Sequence, residues 1–107
     1  MTIKQISAET LQHDLNTNHP PLLLDVREPH EFEFVHIKES NLVPLNQIPN
    51  YITNLDFEQA IVLICHHGMR SQQAAEYMNK AGFINLFNLV GGIDAWAIKC
   101  NPTMRRY

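Results

Sequence analysis

The run Ala60-Ile61-Val62-Leu63-Ile64 constrains the fold most. It is apolar at every position, rich in β-branched residues, and short. A strand with one wet face would alternate polar and apolar residues. An unbroken run reads instead as a strand covered on both faces, the pattern of a central strand in a parallel sheet. Parallel neighbours need crossover connections, usually helices. Even extended to Cys65, the run is far too short to span a bilayer.

The rest of the chain alternates strand and helix signals. Ile3 to Ile6 reads as a short strand. Ser7 is placed to cap a helix carrying Leu11 and Leu15 one turn apart. Asn16 to Pro21 is a loop by composition. Leu22 to Val26 is a second buried strand. Pro29 opens a short helix, with Phe32 available for the core. Leu42-Val43 reads as another strand. Ile48, Ile52 and Leu55 form a helical stripe, with Pro49 tolerable only in the first turn. Ser71 to Ala81 reads as a helix stopped by Gly82. Leu86 to Val90 is a last strand, Gly91-Gly92 a tight turn, and Ile93 to Ile98 a short helix. The pattern predicts an α/β domain with a central, mostly parallel sheet of about five strands and helices on both faces.

At 107 residues, the expectation is one domain over 1–107, with a short basic tail from about 100 to 107. The formal net charge is -3, which argues against nucleic acid or an anionic membrane as partner. That sum hides a split. Residues 1–59 carry 9 acids and 3 bases, whereas residues 60–107 carry 5 bases and 2 acids. The positive half is expected to draw small anions toward its loops, with Arg105 and Arg106 available to an acidic donor or partner. The N-terminus, Met1 to Gln5, lacks the apolar stretch of a signal peptide. Two cysteines, Cys65 and Cys100, make no disulfide framework. A reducing cytoplasm is the expected location, with both thiols free.

Ligands of such sheets bind beyond the carboxyl ends of the strands. There the central strand runs into Cys65-His66-His67-Gly68-Met69-Arg70-Ser71. Backbone N–H groups in a tight loop and at a helix start attract anions. A thiol delivered into that cradle is expected to ionise readily and act as a nucleophile. Gly68 lets the chain bend toward the sulfur. Arg70 can orient an anionic substrate or brace the loop. Cys65 alone would read as a small buried hydrophobe. The company of His66, His67, Gly68 and Arg70 at a strand-to-helix turn favours chemistry.

This segment resembles the active-site loop of rhodanese-like sulfurtransferases, in which a cysteine opens a loop closed by an arginine. The resemblance continues in family order. Leu24-Asp25-Val26-Arg27-Glu28-Pro29-His30-Glu31-Phe32 is similar to the early aspartate-valine-arginine segment. His36-Ile37 and Asn41-Leu42-Val43-Pro44-Leu45 resemble the next two elements. Asn88-Leu89-Val90-Gly91-Gly92-Ile93-Asp94-Ala95-Trp96 resembles the closing double-glycine and tryptophan motif. Val35 stands where the family usually has glycine, and Lys38-Glu39 where it often has proline-glycine. The length matches a stand-alone member. The resemblance implies that Cys65 takes the outer sulfur of thiosulfate, or of a persulfide donor, and passes it to cyanide or a thiol. It implies no cofactor. A cysteine desulfurase or another sulfur-relay protein is an expected partner.

Two other functions compete with this one. Cysteine phosphatases and arsenate reductases share the cysteine-to-arginine cradle, but with one residue more than the four here, His66 to Met69. A non-catalytic or sulfur-carrying module is the other. Retention of Cys65 and Arg70 argues for turnover.

The remaining residues read more blandly. Cys65, His66 and His67 are adjacent and lack a spaced fourth ligand, so no metal is expected. His67 is a possible donor to a bound anion. His36 reads as a structural hydrogen-bonder. Asp25 and Arg27 read as an internal brace, for example Arg27 with Glu31. Ser71 is expected to cap its helix, the alternative being a hydroxyl that reaches the sulfur. Met69 is expected inside the loop, shaping access. Cys100 reads as a bystander and Trp96 as core.

Overall fold

Five strands form one sheet: β1 (Ile3–Ile6), β2 (Leu22–Asp25), β3 (Asn41–Leu42), β4 (Ile61–Ile64) and β5 (Leu86–Leu89). Their spatial order is β1-β5-β4-β2-β3, and every pairing is parallel. The computed structural model describes residues 3–107. Met1 and Thr2, the start of the stretch read as leaderless, lie outside the described residues. All four residues of β4 are buried, as its unbroken apolar run predicts. It pairs with β2 from Leu22↔Ile61 to Asp25↔Ile64, and on its other side with β5 from Ile61↔Leu86.

Among the described residues four helices lie between successive strands, α1 (Ala8–Leu15), α2 (Pro29–Phe34), α3 (Ile48–Tyr51) and α4 (Met69–Lys80), and a fifth, α5 (Gly92–Lys99), follows β5. Side chains alternate across a strand, so β4 feeds two cores. Ile61 and Leu63 pack with Leu24, Val26, Ile48 and α4 residues Ala74, Ala75 and Met78. Val62 and Ile64 pack with Leu23, with Ala8 and Leu11 of α1, and with Ile93 and Trp96 of α5. Each large aliphatic side chain buried this way contributes ~1.5–3 kcal/mol. The helices therefore lie on both faces, as expected. Among the described residues no helix is long and apolar enough to cross a membrane.

Four local expectations are corrected. The Ile48–Ile52–Leu55 stripe is not one helix: α3 is a single turn between two 3-10 turns, Leu45–Gln47 and Ile52–Asn54. Tight turns still bury Ile48 and Ile52, so the stripe reported burial rather than helix length. Phe32 does not join the core. α2 buries no residue, and Phe32 stacks on His36 with ring centroids 3.8 Å apart. The third strand is Asn41–Leu42 rather than Leu42-Val43. Finally, α4 begins at Met69, two residues before Ser71. Gly68 sits at φ 110°, a left-handed turn that glycine tolerates, and the helix starts directly after it. Ser7 does cap α1, its hydroxyl accepting the Thr10 N–H at 3.1 Å.

Candidate active site

Cys65 leaves the carboxyl end of β4. From β2 the chain passes to β3 on one side, while β4 leads to β5 on the other. The crevice between β2 and β4 is therefore the point where strand order reverses, the usual ligand site in such sheets. Cys65 is 1% exposed. Its sulfur accepts the Gly68 N–H at 3.0 Å and lies 3.2 Å from the Ser71 hydroxyl. The loop thus curls so that its own backbone serves the thiol, as the glycine predicts.

The back of the loop rests on the start of α5. The Ile93 N–H donates to the Cys65 carbonyl at 2.8 Å, and the Asp94 N–H to the His66 carbonyl at 3.3 Å. This approach requires Gly92, at φ 60°. A Cβ there would run into the carbonyl oxygens of Cys65 and His66. The double glycine is therefore a seat for the loop as well as a turn.

Two arginine–carboxylate pairs flank the crevice. Arg27, fully buried, meets Asp25 through Nε at 2.8 Å and Nη2 at 2.6 Å. Burial opposes the Arg27 charge, but the hydrogen bonds to Asp25 and Tyr107 outweigh it and raise its pKa. Arg70 grips Glu31 bidentately at 2.7 and 3.0 Å. The expected Arg27–Glu31 brace is corrected accordingly. Arg27 reaches only the Glu31 backbone carbonyl, at 3.4 Å, because the carboxylate is committed to Arg70. Arg70 therefore braces the loop against α2, and its pKa is raised chiefly by Glu31.

Glu31 is held down to about 2, first by Arg70 and then by backbone and Tyr107 hydrogen bonds working against burial. Its folded pKa lies below its ordinary value of 4.5. The stability it contributes is therefore complete above that value and is lost as pH falls toward 2. Urea midpoints measured across this acid range are expected to fall more steeply for the native chain than for Glu31→Gln.

The C-terminal tail folds over this cluster. The Tyr107 hydroxyl donates to Glu31 Oε2 at 2.8 Å and accepts from Arg27 Nη1 at 2.9 Å. Its ring stacks on His66, centroids 3.9 Å apart at 6°. Burial is the first cause raising the Tyr107 pKa. The two tail arginines, both exposed, make separate contacts. Arg106 pairs with Asp94 at 2.8 Å, and Arg105 lies over the Phe34 ring. Tyr107→Phe keeps the stack and loses the bridge, and is expected to cost about 1 kcal/mol in urea unfolding.

The other predicted residues scatter. The His66 ring lies between His67 and Tyr107, and its Nε2 is buried without a hydrogen-bond partner. Burial, then the neighbouring His67, lowers its pKa. His67 is exposed, 3.8 Å from Asp94. His36 is exposed too, its Nδ1 on the Phe32 carbonyl at 2.8 Å, a structural contact. Met69 is corrected: it opens α4 and is 79% exposed. Ser71 is corrected as well. It lies inside α4, fully buried, with its hydroxyl on Cys65 and Asn88 rather than capping the helix. Cys100 is a half-buried free thiol whose pKa burial raises. Sequence reasoning named Glu31 with the wrong arginine, and missed Tyr107 and Asn88 as parts of the site. Asn88 carried a signal, being a polar residue within the apolar strand Leu86-Phe87-Asn88-Leu89.

The model of the rhodanese-like domain family matches residues 7–99. The chain belongs to the rhodanese-like domain family. It is 34% identical to the thiosulfate sulfurtransferase GlpE of Pseudoalteromonas translucida, over 99% of this chain and all of that one. It is 35% identical to the putative sulfur carrier protein YrkF of Bacillus subtilis, over 92% of this chain and 53% of that protein. A rhodanese-like domain protein from Staphylococcus aureus superposes with a TM-score of 0.83 at 26% identity, covering 98% and 99% of the two chains.

Proposed function

We propose that the chain is a sulfurtransferase that carries sulfane sulfur as a persulfide on Cys65. The observation that carries this reading is the sulfur's setting. A cysteine at the crevice between β2 and β4 faces a backbone donor across a loop with only four residues between Cys65 and Arg70. Such a ring is small, suited to one sulfur atom rather than a tetrahedral oxyanion. The full-length likeness to a thiosulfate sulfurtransferase supports the same chemistry.

In the first step the Cys65 thiolate attacks the outer sulfur of thiosulfate. A new S–S bond forms, the bond within thiosulfate breaks, and sulfite leaves with its electron pair. The terminal persulfide sulfur is the anionic end, and loop N–H groups stabilise it electrostatically. In the second step cyanide, or a thiol, attacks that sulfur. With cyanide the product is thiocyanate and the Cys65 thiolate returns. No electrons are gained or lost overall, and no general base acts once the thiolate exists. Arg70, held by Glu31, braces the start of α4 that closes the loop. His66, His67 and Gly68 form the binding loop, Met69, Arg70 and Ser71 are the first turn of α4 that closes it, and Asp25 and Arg27 are its structural support.

Residues 1–107 act as one domain, with the 100–107 tail strapped across the site through Tyr107. The setting is the cytoplasm, and a persulfide-bearing protein such as a cysteine desulfurase is a fitting donor. Initial rates with varied thiosulfate and cyanide test the scheme. Parallel double-reciprocal lines are expected of two half-reactions; intersecting lines would contradict a covalent intermediate.

A further inference from the structure

Cys65 and Ser71 are 3.2 Å apart, sulfur to oxygen, and on that distance either atom could donate. The surrounding hydrogen bonds decide it. The Ser71 oxygen is 2.5 Å from Asn88 Oδ1. Asn88 Nδ2 lies 3.2 Å from the Gly68 carbonyl and 3.1 Å from Gln5 Oε1. A carbonyl only accepts, so the amide nitrogen faces Gly68 and the amide oxygen faces Ser71. A second anchor fixes the same orientation. Gln5 Nε2 donates to Gln72 Oε1 at 3.0 Å, and Gln72 Nε2 donates to the Glu76 carboxylate at 3.3 Å. The carboxylate also only accepts. Each donor in the chain therefore points from the buried sulfur outward to Glu76.

A hydroxyl has one proton. We propose that Asn88 is a positioning residue that holds the Ser71 proton away from the sulfur, so that Ser71 accepts from the Cys65 thiol and does not donate to its thiolate. Support for the anion then falls to the loop backbone, beginning with the Gly68 N–H at 3.0 Å. Asn88 serves both sides of the arrangement, because its nitrogen also ties the Gly68 carbonyl in place. Ser71 turns its proton to the sulfur only if its bond to Asn88 breaks. The proposal rests on Cys65 being the sulfur-carrying group.

The test is the pH profile of Cys65 alkylation by iodoacetamide, in the full chain with Cys100→Ser. The charged and titratable groups around the loop are unaltered in every variant: His66, His67, Arg70 on α4, Asp94 on α5, Glu31 on α2, and Asp25 with Arg27 at the end of β2. Asn88 on β5 and Gln5 on β1 are uncharged. Ser71→Ala removes an acceptor from the thiol and a lone pair from beside the thiolate. Its midpoint is expected to stay or move to lower pH. A rise of ~1 pH unit, the loss of a charge-assisted donor, would overturn the proposal. Asn88→Leu frees the hydroxyl to donate, and its midpoint is expected to fall by ~1 pH unit. Slower alkylation at every pH with no change of midpoint would show a merely structural Asn88 and overturn it. If Asn88→Leu does not fold, Ser71→Ala decides alone. Sulfur uptake from thiosulfate by the unsubstituted chain is read separately. Failure there removes the proposed function but leaves the direction of the bond measurable.

Discussion

Cys65→Ser is expected to abolish sulfur transfer, lowering thiocyanate formation on the order of 10³-fold or more. No other thiol stands in the loop. Cys100 is half-buried after α5, and burial pushes its thiol pKa up. The substitution leaves the fold intact because a hydroxyl can take over both contacts of the sulfur, accepting from the Gly68 N–H and meeting Ser71. A thermal midpoint close to that of the native chain is therefore part of the expected result. Cys100→Ser is expected to keep full activity, which separates the two cysteines by function.

Gly92→Val is expected to have the largest structural effect, costing about 3 kcal/mol or more in urea unfolding. Two causes add. The backbone is left-handed at φ 60°, and the new Cβ would strike two main-chain carbonyls that have no freedom to yield. Those carbonyls belong to Cys65 and His66, so relief of the clash means moving the loop. Sulfur transfer should fail even at temperatures where the variant stays folded. Gly82→Ala is the contrasting case. Its backbone is also strained for a side chain, at φ 115°, but its Cβ would meet only the Phe57 ring, at 3.4 Å, far from the loop, so activity should be unaffected.

The fold was legible where one physical signal dominated. β4 declared itself by burial on both faces, and its neighbours by the strand–helix alternation. The bend of the Cys65 loop was legible because a glycine just past the strand end lets the chain turn back on the sulfur. The α3 region misled because periodic burial does not distinguish a helix from a series of tight turns. Phe32 misled because α2 packs its aromatic ring on His36 rather than on the sheet. Serine favours a cap, but Gly68 starts α4 early enough to carry Ser71 beneath the sulfur. Pairing across distant segments was the least legible. Nothing local to Arg70 names Glu31, and nothing in the tail announces that Tyr107 bridges Glu31 and Arg27. The charge split was real in sequence, but Arg106 is matched by Asp94 and Arg70 by Glu31, so much of the positive charge is locally balanced.

The most direct measurement is the intact mass of the protein after incubation with thiosulfate, followed by peptide mapping. The account predicts the gain of one sulfur, on the peptide containing Cys65, removed by cyanide with release of thiocyanate. No added sulfur, or sulfur carried equally by the Cys65→Ser variant, would contradict it.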